Sequence, residues 1–343
     1  MVVFQKVFSV KSKIKNYSVL KTNSIHKLNL FLRGFDLIIS DINVKSHLSD
    51  ELNEVHFFDC SEKLKTWENL NGILNLFVKY NLNKNSKVVI VGGGTLQDAV
   101  SFCCSIFNRG IPFTFVPTTL LSMCDSCIGG KTSINYSGFK NKLGNFYPPD
   151  QIIIYKNFVS TLKKNEFLSG LGEIFKFQAL QNKTLDINYK SPNSISINLI
   201  INSLKFKAKI IEKDEFDNNE RIKLNYGHTF GHALEVTSNY QIPHGLAVVI
   251  GINIANYISY KLKLLDKKKY NQIKVKSEKL IHNLDLERDW FDIRKLLPII
   301  KKDKKNISGI RMVLLCDKGS LTRIIKPDDL IMFFNEFVEK ELQ

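Results

Sequence analysis

The 343-residue chain carries 49 Lys and Arg against 33 Asp and Glu, a formal net charge of +16. Its length suits two domains, and it has no run of about 18 apolar residues that would span a membrane. The basic residues are scattered, as in YKLKLLDKKKYNQIKVKSEK at 260–279, which favours a solvated helix surface over a nucleic-acid site. The polar, broken start is unlike a secretory signal. It is basic and poor in acids, as in a transit peptide, but its β-like alternation favours a first strand. We therefore expect a cytoplasmic protein that binds neither nucleic acid nor membrane.

The first 155 residues alternate β-branched runs with helical periods. Strands are predicted at 36–40, 55–58, 87–91, 113–116 and 152–155, and helices between them at 66–80 and 96–107. This alternation is typical of a parallel sheet with crossover helices. We expect an α/β fold with a Rossmann-like, parallel-sheet domain over residues 1–161.

Long helical periods dominate the second half of the chain. Helices are predicted at 162–181, 194–213, 226–238, 245–263 and 268–283, followed by a hairpin at 309–325. The prediction is a mainly α-helical domain over residues 162–343. The active site is expected in the cleft between the two domains.

Three consecutive glycines, Gly92, Gly93 and Gly94, stand between a predicted strand and a predicted helix in KVVIVGGGTLQDAVSF. Glycines there let the backbone approach a diphosphate, and the helix N-terminus supplies N–H donors. The pattern is not G-x-G-x-x-G, and no acid follows about 20 residues later to hold a ribose. Asp41, at the end of an earlier strand, could hold the ribose instead.

His228 and His232 lie four residues apart in LNYGHTFGHALE, so they share one face of a helix. His244 follows nearby, and Glu173 is a single acid in the apolar helix LSGLGEIFKFQAL. Two imidazoles and one carboxylate are typical of a catalytic zinc site. A pair of buried, hydrogen-bonded histidines is the alternative, and Lys176 could neutralise Glu173 without a metal.

The six cysteines are too few and too irregularly spaced for a disulfide framework in a chain of this length. Cys124 and Cys127 form a single C-x-x-C, which cannot close a four-ligand zinc site. We interpret them as small packing residues.

Three ordered stretches resemble the 3-dehydroquinate synthase family: VPTTLLSMCDSCIGGKTSINYSGFKNKLGNFYPP, GLGEIFKF, and LNYGHTFGHALE followed by HG. The resemblance extends from about residue 36 to 325. It implies conversion of 3-deoxy-arabino-heptulosonate 7-phosphate to 3-dehydroquinate and phosphate, with NAD used catalytically and Zn²⁺ or Co²⁺ as the metal. It also implies that Glu173, His228 and His244 are the metal ligands.

The resemblance assigns further residues to cofactor, substrate and catalysis. The implied cofactor-binding residues are Asp41, Glu62, Lys65, Gly92, Gly93, Gly94, Thr95, Asp98, Thr118, Thr119, Asp125, Lys131, Lys140 and Thr161. The implied substrate-binding residues are Arg109, Lys131, Lys140 and Asn141 toward the phosphate, Lys176, Lys207, Arg221 and Asn225 toward the carboxylate and hydroxyls, His232, and Lys304 or its neighbour Lys305. The implied catalytic residues are His232, Lys131, Lys176 and Asp125.

Several positions depart from the family pattern. Leu246 stands where Glu usually follows HG, Asp217 replaces a usual Glu, and Thr95 and Gln97 follow the glycines; the stretch 182–193 is shortened. These departures leave open a sister sugar-phosphate cyclase with another substrate. A metal-dependent polyol dehydrogenase, or a basic binding protein on an inactive fold, are further alternatives. A homodimer acting on a small sugar-acid phosphate is expected.

Overall fold

The computed structural model describes residues 2–52, 54–183, 191–302 and 309–342. The chain divides into two compact units, Met1–Lys163 with Ser191–Phe216, and Lys164–Lys190 with Asp217–Gln343. The sequence predicts two domains with a single boundary after residue 161. The observed division differs from that prediction, because the segment 191–216 packs with the first unit.

The first unit is built on a parallel sheet with one antiparallel edge strand. Its strands are β1 Gln5–Val10, β2 Tyr17–Thr22, β3 Leu37–Asp41, β4 Val55–Phe58, β5 Val88–Gly92, β6 Phe113–Pro117, β7 Ile134–Tyr136, β8 Phe139–Leu143 and β9 Gln151–Tyr155. Within the described residues the main sheet has the order β1-β2-β9-β6-β5-β3-β4, and only β1 pairs antiparallel. The five predicted strands are confirmed as β3, β4, β5, β6 and β9.

Burial explains why those strands could be predicted. Every residue of β3, β5 and β6 is buried, as expected for parallel strands that helices cover on both faces. The small hairpin of β7 and β8 lies outside the main sheet, and its exposed polar residues carry no such pattern.

The helices follow the predicted periods closely. Their bounds are α1 Ile25–Leu32, α2 Leu70–Lys79, α3 Gly94–Ile106, α4 Lys164–Leu180, α5 Ile197–Ile211, α6 His228–Thr237, α7 His244–Lys261, α8 Lys267–Ile281, α9 Ile293–Lys301 and α10 Pro327–Glu341. The first unit holds α1, α2, α3 and α5; the second holds the rest. Helices α1, α9 and α10 were not predicted.

In the second unit, α7 is the central helix. It is buried from Gly245 to Ser259, because its sequence is apolar on every face. The predicted hairpin is confirmed as β10 Ile310–Cys316 and β11 Gly319–Ile325. No helix among the described residues is both long and apolar enough to cross a membrane.

Glycines allow α4 and α7 to approach backbone to backbone. A Cβ atom on Gly245 would lie 1.8 Å from the Ser169 carbonyl oxygen, and one on Gly172 would lie 2.2 Å from the Gly245 carbonyl oxygen. The Gly245 N–H donates to Ser169 Oγ at 2.9 Å. This contact holds Glu173, on α4, beside His244, the first residue of α7.

Candidate active site

The glycine-rich turn lies at the carboxyl edge of the parallel sheet. Gly92 ends β5, and α3 begins at Gly94. A Cβ on Gly93 would lie 2.8 Å from the Thr119 side chain, so only glycine fits between this turn and the turn after β6. The N-terminus of α3 therefore lies at this turn, where the sequence predicts that an anion binds.

Other predicted cofactor residues lie at the ends of neighbouring strands or in the turns that follow them. Asp41 ends β3, Thr118 follows β6, and Thr161 closes the turn after β9. The Asp41 carboxylate accepts hydrogen bonds from the Asn43 backbone N–H and side-chain amide at 2.9 and 2.8 Å. Ligands of open α/β sheets bind at this edge, because the loops there converge.

Asp125 lies on a π-helical turn, Ser122–Ser126, that packs against α5. Lys207 Nζ lies 2.6 Å from Asp125 Oδ1 and donates to the Asp125 carbonyl oxygen at 2.8 Å. Gln97 holds the same turn from α3, since it exchanges two 3.1 Å hydrogen bonds with Ser126. Gln97, a departure from the family pattern, therefore has a structural partner. Thr95 is half-buried, and nothing in the structure explains its choice.

Cys124 and Cys127, on and beside this turn, are thiols outside any disulfide and are fully buried. Burial raises the pKa of the Cys127 thiol to about 12, so it stays protonated near neutrality. Their packing role is consistent with the sequence interpretation.

A buried lysine joins two further predicted residues, Asp98 and Asn141, and the unpredicted Ser133; we call these four residues the Lys65 cluster. Lys65 Nζ lies 2.7 Å from Asp98 Oδ2, 2.6 Å from Asn141 Oδ1 and 3.3 Å from Ser133 Oγ. Burial raises the pKa of Asp98, and the adjacent Lys65 offsets this only in part. Residues assigned separately to cofactor and phosphate thus contact each other directly.

Two further cations that the resemblance assigns to the ligands lie in the first unit. Lys131 and Lys140 are exposed, and Lys131 follows two glycines with positive φ, Gly129 and Gly130. Glu62 accepts a hydrogen bond from the Asn135 side chain at 2.9 Å, which ties its turn to the β7–β8 hairpin.

Arg109 lies apart from these residues. It follows the C-terminal end of α3 and precedes the amino end of β6, near the opposite edge of the sheet from the glycine turn. The fold of one chain therefore does not bring Arg109 to Asn141.

In the second unit, Glu173, His228 and His244 form what we call the acid–imidazole cluster. One ligand atom from each lies within 4.8 Å of the others. Glu173 Oε1 is 3.7 Å from His228 Nε2 and 3.4 Å from His244 Nε2. The Lys176 ammonium pairs with the other oxygen of Glu173, which has no solvent exposure.

The protonation of this cluster follows from burial and charge. Burial alone would raise the pKa of Glu173, but Lys176 and His244 outweigh it and hold that pKa well below its usual range. Burial, together with the Lys176 charge and the neighbouring imidazoles, lowers the pKa of His228 well below its usual value. Glu173 is thus an anion and His228 a neutral imidazole, the forms that bind a divalent cation. Burial would lower the pKa of His244, but Glu173 and Glu235 outweigh burial and raise it to about 10, so a metal has to displace a proton from this imidazole.

Both imidazoles direct Nε2 toward Glu173, and their Nδ1 atoms face other acceptors. His228 Nδ1 lies 3.2 Å from the Tyr226 carbonyl oxygen, and His244 Nδ1 lies 3.1 Å from Glu235 Oε2. Glu235 is not among the residues predicted from the sequence. Its position seven residues after His228, two helical turns along α6, is the signal that could have found it.

His232 is exposed one turn after His228 on α6. A pocket of about 230 Å³ is lined by His228, His232 and Ala233 of α6 and by Ile299 and Ile300 of α9. The ring centroids of His228 and His232 are 5.1 Å apart, so a molecule in this pocket can reach both imidazoles.

Arg221 and Asn225 lie on the 3₁₀ turn Glu220–Asn225, immediately before the α6 segment. Arg221 is 4 % exposed. Lys304 and Lys305 lie outside the described residues.

Two departures from the family pattern lie in this unit. Leu246 is fully buried within α7, where it contributes to the apolar core. Asp217 adopts a left-handed backbone with φ of 62°.

The sequence of the chain matches two family models over most of its length. Residues 56–169 match the 3-dehydroquinate synthase N-terminal model, and residues 170–306 match the C-terminal model. The chain belongs to the 3-dehydroquinate synthase family. A relative named 3-dehydroquinate synthase from Pelagibacter ubique (strain HTCC1062) is 35 % identical, over 97 % of this chain and 98 % of the relative.

Two solved structures share the fold. A 2-deoxy-scyllo-inosose synthase complexed with carbaglucose-6-phosphate, NAD⁺ and Co²⁺ has a TM-score of 0.83 at 20 % identity, covering 96 % of this chain and 99 % of that one. ValA, a 2-epi-5-epi-valiolone synthase from Streptomyces hygroscopicus subsp. jinggangensis 5008 with NAD⁺ and Zn²⁺ bound, has a TM-score of 0.81 at 20 % identity, covering 98 % and 99 %. The predicted α/β fold and family are confirmed.

Proposed function

We propose that this chain catalyses the 3-dehydroquinate synthase reaction, a phosphate-eliminating carbon–oxygen lyase step of aromatic amino-acid biosynthesis. The substrate is 3-deoxy-arabino-heptulosonate 7-phosphate, and the products are 3-dehydroquinate and phosphate. The acid–imidazole cluster is the observation that carries the proposal, because a buried carboxylate and two imidazoles suit a catalytic divalent metal. Membership of the family supplies the substrate class.

The residues fit the two cofactors proposed for the site. Glu173, His228 and His244 would hold Zn²⁺ or Co²⁺, and the glycine turn with Asp41 would hold NAD. When bound, NAD supplies reversible hydride transfer, and the metal supplies Lewis-acid polarisation of a substrate oxygen. The further NAD contacts proposed are those of Glu62, Lys65, Thr95, Asp98, Thr118, Thr119, Asp125, Lys131, Lys140 and Thr161.

The protein's own side chains would orient the substrate and move its protons. His232 is exposed at the pocket it shares with His228, where an imidazole can accept a hydroxyl proton and return it. Lys131, Lys140 and Asn141 would bind the phosphate through charge-assisted and amide hydrogen bonds. Lys207 and Arg221 would bind the carboxylate, and Asn225 a hydroxyl.

Two of these assignments imply exchange of partners on binding. Lys207 is paired with Asp125, so a substrate carboxylate has to replace or share that partner. Lys176 is paired with Glu173, so this lysine compensates the carboxylate before any metal does. Arg109 is proposed as a phosphate ligand only by resemblance. Its position near the opposite sheet edge means that a second chain would have to supply it, which fits the expected homodimer.

The deciding experiment mixes purified protein with the heptulosonate phosphate, substoichiometric NAD and zinc. Complete conversion to 3-dehydroquinate, one phosphate released per turnover and no lasting NADH absorbance are expected, because the hydride removed early is returned later. Stoichiometric NADH without phosphate release would instead identify a polyol dehydrogenase. Preference for a neutral sugar phosphate would identify a sister cyclase.

A further inference from the structure

The two imidazoles of the acid–imidazole cluster are oriented by different kinds of acceptor. His228 Nδ1 lies 3.2 Å from a backbone carbonyl oxygen, that of Tyr226. His244 Nδ1 lies 3.1 Å from a carboxylate oxygen, Glu235 Oε2. Because a carbonyl only accepts, His228 carries its proton on Nδ1 and directs the Nε2 lone pair toward Glu173.

Glu235 can impose the same tautomer on His244. The ring of His244 has Glu235 on its Nδ1 side and Glu173 Oε1 at 3.4 Å on its Nε2 side. Without Glu235, Glu173 could hold the proton of a neutral His244 on Nε2, the nitrogen that a metal would need. A carboxylate at Nδ1 therefore decides which nitrogen is available to a metal, and it also increases the basicity of the ring.

The packing of α6 against α7 explains how Glu235 reaches His244. A Cβ on Gly231 would lie 3.1 Å from Val248 Cα, so the two helices are in close backbone contact. Glu235 stands one turn further along α6 than Gly231, and its side chain is 13 % exposed. It meets α7 at its first residue, where the helix N-terminus also favours a negative charge.

We propose that Glu235 is a positioning residue that accepts the Nδ1–H of His244 and thereby prepares Nε2 to bind the metal. The proposal rests on the metal role proposed for Glu173, His228 and His244. His232, Glu235 and His244 also bring ligand atoms within 4.8 Å of one another, which makes direct ligation by Glu235 the competing role. Positioning is favoured because Glu173 is completely buried among the Nε2 atoms, whereas His232 is exposed.

Metal affinity tests the proposal without using activity. Metal-free protein is titrated with zinc against a chelator of known affinity, for the unmodified chain, Glu235→Ala and Glu235→Gln. Loss of such a partner typically costs 10–100-fold in metal affinity, so Glu235→Ala is expected near the upper end and Glu235→Gln near tenfold. Glutamine loses less because its amide oxygen still accepts the Nδ1–H. Glu339→Ala, an exposed change on α10 of the same unit, should match the unmodified chain.

The cobalt absorption spectrum separates positioning from ligation. A positioning residue leaves the ligand set unchanged, so Co²⁺-loaded Glu235→Gln should keep the band shape of the unmodified protein. An altered coordination spectrum would make Glu235 a ligand and overturn the proposal. Unchanged zinc affinity in Glu235→Gln would overturn it as well.

The outcome stays decisive if one variant does not fold. Circular dichroism and thermal unfolding of the metal-free proteins identify a misfolded variant, and Glu235→Gln, which keeps the side-chain size, then decides alone. A different result would show that Glu173, His228 and His244 do not bind a metal. In that case the unmodified chain binds no zinc, or Glu173→Gln binds it equally well.

Discussion

The acid–imidazole cluster lies on three packed helices, whereas the Lys65 cluster lies on turns, one helix and a hairpin. Glu173 and His244 are held where α4 and α7 touch through Gly172 and Gly245, with no space for a Cβ. Lys65 instead joins a 3₁₀ turn to Asp98 on α3 and to Asn141 on the exposed strand β8.

The clusters also differ in how their charges are balanced. Lys65 and Asp98 compensate each other, and Asn141 completes the lysine's hydrogen bonds. Glu173 faces one lysine and two imidazole nitrogens, of which His228 is kept neutral. In both clusters an incoming ligand meets contacts already made: a metal would share the Glu173 carboxylate with Lys176, and a ligand of the Lys65 cluster would replace or share the contacts of Lys65 with Asp98 and Asn141. We expect substitutions in the acid–imidazole cluster to lower zinc binding and kcat. Substitutions in the Lys65 cluster should weaken the binding of NAD.

The largest expected effect is that of Glu173→Gln. Removing the only carboxylate of the acid–imidazole cluster should abolish zinc binding and lower kcat by about 10³-fold, since metal polarisation contributes several kcal/mol. Bound zinc after dialysis and the rate of phosphate release measure this. Glu166→Gln, at the exposed start of α4, is the control and should retain both. Retained zinc and activity in Glu173→Gln would contradict the assignment.

Gly245→Ala tests whether backbone packing maintains the cluster. A Cβ 1.8 Å from the Ser169 carbonyl oxygen forces α4 and α7 apart, and overpacking of this kind costs about 1–3 kcal/mol or more. The free energy of unfolding and the zinc affinity should both fall. Gly72→Ala, on helix α2, is a matched control, because a Cβ at Gly72 would meet only the Phe58 side chain, at 4.0 Å. There alanine should stabilise by about 0.5–1 kcal/mol. Equal effects of the two variants would refute a special role for Gly245.

Lys65→Met tests whether the two clusters act independently. Methionine keeps the length but removes the charge, so Asp98 loses its salt bridge and Asn141 its donor. The Kd for NAD should rise about tenfold or more, in line with about 1.5–3 kcal/mol for a charged hydrogen bond. Zinc affinity should not change. Lys63→Met, exposed on the same turn, is the control. A parallel loss of zinc binding would show that the clusters are not separate.

The smallest effect concerns the pH dependence of unfolding in the metal-free protein. Glu173 has a folded pKa below its usual value of 4.5, so its stabilisation is present above that value and is lost as the pH falls. Asp98 has a folded pKa above its usual value of 3.8, so its contribution is present below 3.8 and is lost as the pH rises through the folded pKa. As the pH falls below about 4.5, the free energy of unfolding of Glu173→Gln should therefore change less than that of the unmodified chain. Asp98→Asn should gain relative stability as the pH rises from about 4 to 7. Shifts of the same sign in both variants would contradict this difference.

Much of the candidate site could be predicted because its residue types are scarce or conspicuous in this sequence. Glu173 is a lone acid in an apolar helix, and three of the seven histidines fall between residues 228 and 244. Glu235 is not scarce or conspicuous as a residue type, and only its spacing from His228 could have indicated it. A glutamate on a helix surface is ordinary, and its contact with His244 exists only because α6 packs on α7.

Pairings among charged residues were equally hidden. The resemblance assigned Lys65, Asp98 and Asn141 to different parts of the ligands, and the structure joins them directly. Lys207 and Asp125 are 82 residues apart, and only the packing of α5 in the first unit brings them together. Charges of opposite sign pair according to proximity in space, and no local pattern records that proximity.

By itself the sequence determined the buried parallel strands, the long helices and the choice of glycine at the turn. These depend on periodicity and side-chain size, which are local properties. The tertiary structure decided the antiparallel position of β1, the inclusion of segment 191–216 in the first unit, and the separation of Arg109 from Asn141 within one chain. Each of these depends on which surfaces meet across long stretches of chain. That choice is made by the total burial of apolar area and by backbone contact at residues such as Gly245, neither of which a short window of sequence contains.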